Sequence, residues 1–153
     1  MLEGGCLCRA TRYQATDYDR VAHCHCGTCK KATGAAFATW VCIKLSLFRQ
    51  LSREATFRRS SPKCSRGFCP ECGTPLFMKY DGDDEIAVSL GSLDHPERVS
   101  PDYSIWTSER LIWANCMDVS LPQFPADRTR GSSQLNGGTG CWWTRSAPSL
   151  LRS

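Results

Sequence analysis

The sequence predicts a mainly β domain. Its apolar residues fall in short runs rich in β-branched and aromatic side chains, an Asp-Gly step separates two of those runs, and a single brief stretch reads as helix. Residues 7–15 alternate loosely and read as a first strand, and residues 37–45 (FATWVCIKL) as a second. Between them, Gly27–Thr33 has helical character for one or two turns and runs up to Gly34, a residue suited to a left-handed helix stop. Residues 55–58 form another short candidate strand. Pro75–Tyr80 and residues 85–90 (EIAVSL) flank Asp81-Gly82-Asp83-Asp84 as the arms of a hairpin. Residues 110–117 are a further candidate, and 121–125 (LPQFP) close the domain in extended form because each proline biases its predecessor away from helix.

A chain of 153 residues matches one domain, and at this size folding buries roughly 68–70% of the unfolded surface, enough for a core without staples. With 41% hydrophobic and 22% charged residues, disorder, collagen and coiled coil are disfavoured. No apolar run approaches the ~20 residues of a membrane span, and MLEGGCLCRATRY lacks the basic and apolar regions of a secretory leader. A cytoplasmic setting is the expectation.

The net charge of +4 is unevenly placed. Residues 1–127 carry 15 basic and 15 acidic side chains, while Arg128, Arg130, Arg145 and Arg152 follow the last acid, Asp127. A folded surface without a basic stripe argues against nucleic acid as a partner. The composition shift divides the chain into a domain over 1–127 and a Gly/Ser/Arg-rich tail over 128–153, read as a flexible extension in which Trp142 or Trp143 is a possible docking point.

Cysteine is the departure: 11 residues, bunched at Cys6/Cys8, Cys24/Cys26/Cys29 and Cys69/Cys72. That spacing suits metal thiolates better than a disulfide framework. Cys69-Pro-Glu-Cys72-Gly-Thr is a C-x2-C knuckle, whose turn aims two sulfurs at one ion while Gly73 lets backbone N–H groups face them. It supplies half a tetrahedron, and Cys6-Leu-Cys8 is the natural other half, on the expectation that alternate residues of a strand share a face. The proposal from spacing is a structural zinc site of Cys6, Cys8, Cys69 and Cys72, with ordinary core cysteines as the alternative.

His23-Cys24-His25-Cys26-Gly27-Thr28-Cys29-Lys30-Lys31 holds three soft donors within six residues. Cys24, Cys26 and Cys29 suffice for one zinc and leave a fourth position open to water or a substrate thiolate. His23, His25, Cys42 and Cys64 are the side chains that would close it, although His25 should point away from its cysteine neighbours and Cys42 reads as a packed strand residue. Cys64 lies in what reads as a loop over 60–67. Lys30 and Lys31 are either attractors of substrate carboxylates or simply solvated. A thioredoxin-type reading of Cys26–Cys29 lacks its βαβ context.

With these pieces in place, the sequence resembles the glutathione-dependent formaldehyde-activating enzyme family, also called the centromere-protein-V-like domain. The resemblance lies in Gly5-Cys-Leu-Cys8, Cys24 through Gly34, residues 37–41, Arg66-Gly-Phe-Cys69-Pro-Glu-Cys72-Gly-Thr, Ser89-Leu-Gly-Ser-Leu-Asp94, Pro101 through Trp106, Trp113 and Leu121-Pro-Gln-Phe124. It implies small packed antiparallel sheets with zinc knuckles, similar to the zinc-binding Rab accessory proteins. It also implies two Zn2+ per chain, with Cys6, Cys8, Cys69 and Cys72 as structural ligands and Cys24, Cys26 and Cys29 as catalytic ones. At one place the chain departs from the family: Ser104 stands where a histidine is frequent.

The implied activity is that of a carbon–sulfur lyase resembling S-(hydroxymethyl)glutathione synthase. A thiol, glutathione or a similar one, adds to formaldehyde or another aldehyde to give a hemithioacetal, or leaves in reverse. Tyr103, Ser104, His25 and water are the candidates for proton delivery. The alternatives are a non-enzymatic zinc module for protein or chromatin interaction, and a redox or metal-storage protein.

Overall fold

The structure is a computed structural model that describes residues 1–114 and 121–126. The expected tail and the domain end at 127 lie outside the described residues.

Among the described residues, ten strands form two sheets. β1 (Leu2–Gly5), β2 (Arg12–Ala15) and β5 (Phe48–Gln50) make an antiparallel three-stranded sheet in the order β1-β2-β5. The larger sheet contains β3 (Arg20–Cys24), β4 (Ala38–Lys44), β6 (Thr56–Ser61), β7 (Cys64–Phe68), β8 (Pro75–Tyr80), β9 (Glu85–Ser89) and β10 (Tyr103–Ile105). Its order is β10-β3-β4-β9-β8-β7-β6, antiparallel except for the β10–β3 pair, which is parallel. The one α-helix among the described residues, α1 (Gly27–Thr33), connects β3 to β4. It stops at Gly34, whose φ of 67° sends its N–H back to the Lys30 carbonyl.

Alternation along the strands separates two faces of the large sheet. Val21, Val41, Ile43, Phe77, Ile86 and Val88 point to one side and pack with Tyr13 and Ala15 of the small sheet in the main core. Phe77 is the centre, with its ring 5.3 Å from Tyr13 and 5.5 Å from Phe48. Burying such a side chain is worth about 1.5–3 kcal/mol. On the opposite face the ladder aligns Arg20, Cys42, Ala87, Met78 and Arg66 in one row across five strands. That row lines a cavity of about 480 Å³.

Several expected elements are revised. The strand over 7–15 is broken: residues 6–11 form a turn in which Arg9 has φ 66° and Cys6 N–H bonds the Thr11 carbonyl, and Leu7, exposed in that turn, offers the core nothing. The loop over 60–67 is instead a hairpin, with Cys64 buried in β7. Residues 110–111 form no strand and Ile112–Ala114 is a 3-10 turn, the remainder of that candidate lying outside the described residues. Residues 121–125 are extended as expected, and Gln123 bridges Ser104.

Candidate metal centres

The first centre lies where the β1–β2 turn meets the β7–β8 loop. Cys6, Cys8, Cys69 and Cys72 bring four sulfurs within 4.8 Å of one another. Cys6 and Cys8 are 3.4 Å apart and Cys8 lies 3.8 Å from Cys69. The approach of Cys6 and Cys8 comes from the turn rather than from a shared strand face. Gly73, at φ 72°, folds the knuckle so that its N–H reaches the Cys69 carbonyl at 2.9 Å. Backbone N–H of Thr11 donates to the Cys6 sulfur at 3.3 Å, and the Thr74 hydroxyl joins Cys72 to the N–H of Leu7.

These donors decide the charges. The Thr74 hydroxyl, followed by backbone N–H groups, holds Cys72 down at about 5. Although the Ala10 N–H favours its thiolate, Cys8 is pushed up to about 12 by sulfurs of Cys6 and Cys72 beside it. Four sulfurs at this spacing cannot all ionise unless a cation sits among them, and four soft donors from two knuckles are the chemistry of a closed zinc site. The residues fit the ion.

The second centre is built by the β3–α1 junction. Cys24 ends β3 on the cavity face, and Cys26 is the helix N-cap, its sulfur accepting the Cys29 N–H at 3.3 Å. Cys29 lies in the first helical turn and is buried. The three sulfurs are mutually within 4.8 Å, with Cys24 and Cys26 at 3.5 Å. Among the described residues, no fourth His, Cys, Asp or Glu joins them.

Cys29 accepts two further hydrogen bonds of 3.4 Å, from the Trp40 indole N–H and from Arg66 Nη2. The thiols of Cys24 and Cys26, then Arg66 and Trp40, hold Cys29 down at about 2, while its neighbours push Cys24 well up. Without a cation, these contacts favour negative charge on Cys29 and oppose it on Cys24. A soft cation removes that conflict, so this donor set also fits zinc.

The alternatives for a fourth donor are placed elsewhere. His23 Nδ1 bonds the Thr39 hydroxyl at 2.8 Å, and His25 is buried against Phe37, so both rings lie off the cavity face. Cys42 and Cys64 line the cavity but stand outside the trio. Lys30 does not line the cavity: its Nζ donates to the Glu109 carbonyl at 2.6 Å, while Glu109 Oε2 accepts the Gly27 N–H at 2.6 Å. Tyr103 lines the cavity, whereas Ser104 is fully buried and its backbone pairs with Pro122 and Phe124.

Spacing could not have revealed Arg66, Trp40 or Trp106, all of which line the cavity near the trio. Trp106 sits at φ 57° and ψ 38°, a left-handed conformation costing a non-glycine residue roughly 1–2 kcal/mol, and its N–H bonds the Ala126 carbonyl. The signal available for all three was their place in the stretches that carry the family resemblance: residues 37–41, Arg66 through Thr74, and Pro101 through Trp106.

Residues 1–109 match the model of the glutathione-dependent formaldehyde-activating enzyme. The chain belongs to this family. It is 30% identical over 120 residues to an uncharacterized lyase of Schizosaccharomyces pombe, a match covering 77% of this chain and 85% of the relative. It is also similar to a Rhodobacter sphaeroides protein of known crystal structure, with a TM-score of 0.52 and 20% identity over 65% of this chain and 91% of that one. That likeness supports the fold. No helix among the described residues is long and apolar enough to cross a membrane.

Proposed function

We propose that this chain is a zinc-dependent carbon–sulfur lyase that joins glutathione, or a similar thiol, to formaldehyde or another aldehyde and reverses that addition. Family membership and the lyase named among its relatives support the reaction class. The observation that carries the reading is the three-sulfur trio opening onto a cavity, with no fourth ligand from the described residues. Cys6, Cys8, Cys69 and Cys72 would hold a structural zinc, and Cys24, Cys26 and Cys29 the catalytic one. When bound there, zinc supplies thiolate at neutral pH and Lewis acidity toward a carbonyl.

The protein's own residues shape the step. The row from Arg20 to Arg66 forms the floor on which the adduct lies, and Trp40 and Trp106 wall off water near the trio. Of the side chains considered for proton delivery, Tyr103 lines the cavity while Ser104 and His25 do not, which leaves Tyr103 or solvent water for the alkoxide. The working unit in this reading is the domain over 1–127, in the cytoplasm, where thiols stay reduced.

The test is hemithioacetal exchange followed by NMR, as the increment over a protein-free control, with Cys24, Cys26 or Cys29 replaced by Ser. Loss of exchange in these variants supports the reading, and undiminished exchange removes it. A second zinc held by four protein ligands, with no spectroscopic response to thiol, would support the non-enzymatic module instead.

A further inference from the structure

We propose that Arg66 is a catalytic residue of carbon–sulfur bond formation, its Nη1 donating to the oxyanion that develops on the aldehyde oxygen. The inference rests on the lyase reading above. Arg66 projects from β7 into the cavity row and its guanidinium is fixed on three sides. Nε donates to the Ser60 hydroxyl at 3.2 Å, Nη2 donates to the Cys29 sulfur at 3.4 Å, and Cζ lies 5.6 Å from the centre of the Trp40 ring. Nη1 is buried and has no hydrogen-bond partner among the described residues. Leaving a buried donor unpaired is costly, and more so when it is charged. An arginine held this firmly with one donor spare is organised before any substrate arrives.

Connectivity says which substrate atom that donor meets. Nη1 and Nη2 share Cζ, so the spare donor is two bonds from the one that touches the Cys29 sulfur. In a hemithioacetal the oxygen is likewise two bonds from sulfur. A thiolate seated beside Cys24, Cys26 and Cys29 keeps its new oxygen near the trio and hence on the Arg66 side, whereas the carboxylates of glutathione lie many bonds further along the molecule. The cavity's other arginine is engaged, since Arg20 pairs with Asp19 at 2.5 Å and with Glu85 at 2.7 Å.

The step balances without an oxidant. A sulfur lone pair forms the C–S bond, the carbonyl π pair moves onto oxygen, and Nη1–H donates to the alkoxide while the guanidinium stays protonated. Solvent water then supplies the proton that makes the hydroxyl. In reverse the alkoxide re-forms C=O and the thiolate leaves.

The test compares zinc-loaded wild type, Arg66→Gln and Arg66→Lys by NMR exchange with glutathione and formaldehyde, alongside zinc content and binding of S-methylglutathione, which has both carboxylates but no oxyanion. Arg66→Gln should lower exchange per bound zinc about 10²–10³-fold while S-methylglutathione affinity stays within about threefold, with Arg66→Lys in between. Exchange retained in Arg66→Gln overturns the inference. So does an equal loss of S-methylglutathione affinity, which would make Arg66 a carboxylate anchor, or loss of zinc from both variants, which would make it a support for Cys29. Absence of exchange in the wild type overturns the lyase reading and this inference together.

Discussion

The Trp40 indole N–H donates to the Cys29 sulfur across 3.4 Å, tying β4 of the large sheet to the first turn of α1. Groups that hydrogen-bond a ligand atom orient it, and removing one typically costs 10–100-fold in metal affinity. Trp40→Phe should therefore release zinc from the second centre at a chelator concentration about tenfold lower than wild type. Competition with a chromophoric chelator measures this, and the first centre, which Trp40 does not touch, should release its ion at the wild-type concentration.

The two centres should answer differently to loss of a sulfur. Cys69 is fully buried and joins the β1–β2 turn to the β7–β8 loop, so Cys69→Ser should cost more than about 4 kcal/mol, the range reserved for loss of a structural staple. Cys29→Ser leaves that junction whole and should lose thiol exchange with a far smaller fall in unfolding temperature. Thermal melts of the two variants, run beside zinc analysis, give the comparison.

Glu85 supplies a pH dependence. Arg20, with its hydrogen bonds at 2.7 and 3.1 Å, holds the Glu85 carboxylate at about 2, below its ordinary 4.5, and Lys44 assists. A depressed acid stabilises the fold fully above its unfolded value and loses that contribution as pH falls toward the folded one. Discounted for screening at a partly exposed pair, the contribution is about 1–2 kcal/mol at neutral pH. The stability difference between wild type and Glu85→Gln in urea should be level above about pH 5 and shrink steadily from there toward pH 2. A difference that grows on acidification would refute the pairing.

Gly67 is the tightest point of β7. A Cβ there would stand 2.9 Å from the Phe57 ring and 3.0 Å from Phe77, inside contact distance of two aromatic rings in or beside the core. Gly67→Ala should cost about 1–3 kcal/mol by overpacking. Urea unfolding reads that loss, and unchanged stability would mean that Phe57 swings aside freely.

What was legible in the sequence follows from how local each signal is. Pro75–Tyr80 is a strand with the bounds its hairpin turn implied, and α1 ends at Gly34 as its glycine implied. The knuckle cysteines were legible because two or three sulfurs close in sequence must lie close in space. Arg20–Cys24 was not, since it opens on an arginine and ends in a cluster that reads as a ligand loop, and its parallel partner Tyr103–Ile105 lies some eighty residues away. Alternation misled at 7–15, where Leu7 mimics a core position while the turn it sits in faces solvent. Arg66 and Trp40 carry no spacing signal, because they reach Cys29 through sheet register alone.

That register gives β7 a double duty. Arg66 leans on the Cys29 sulfur and, three residues later, Cys69 enters the other sulfur cluster. The β7–β8 pairing already shifts between Gly67 and Phe68, so an insertion between positions 66 and 69 would change how the guanidinium is set relative to the knuckle while leaving every cysteine in the chain. The interval of three is thus as much a part of the chemistry as the sulfurs themselves, and a protein with all seven cluster cysteines but a different interval would be a metal binder with its reactive corner unfurnished.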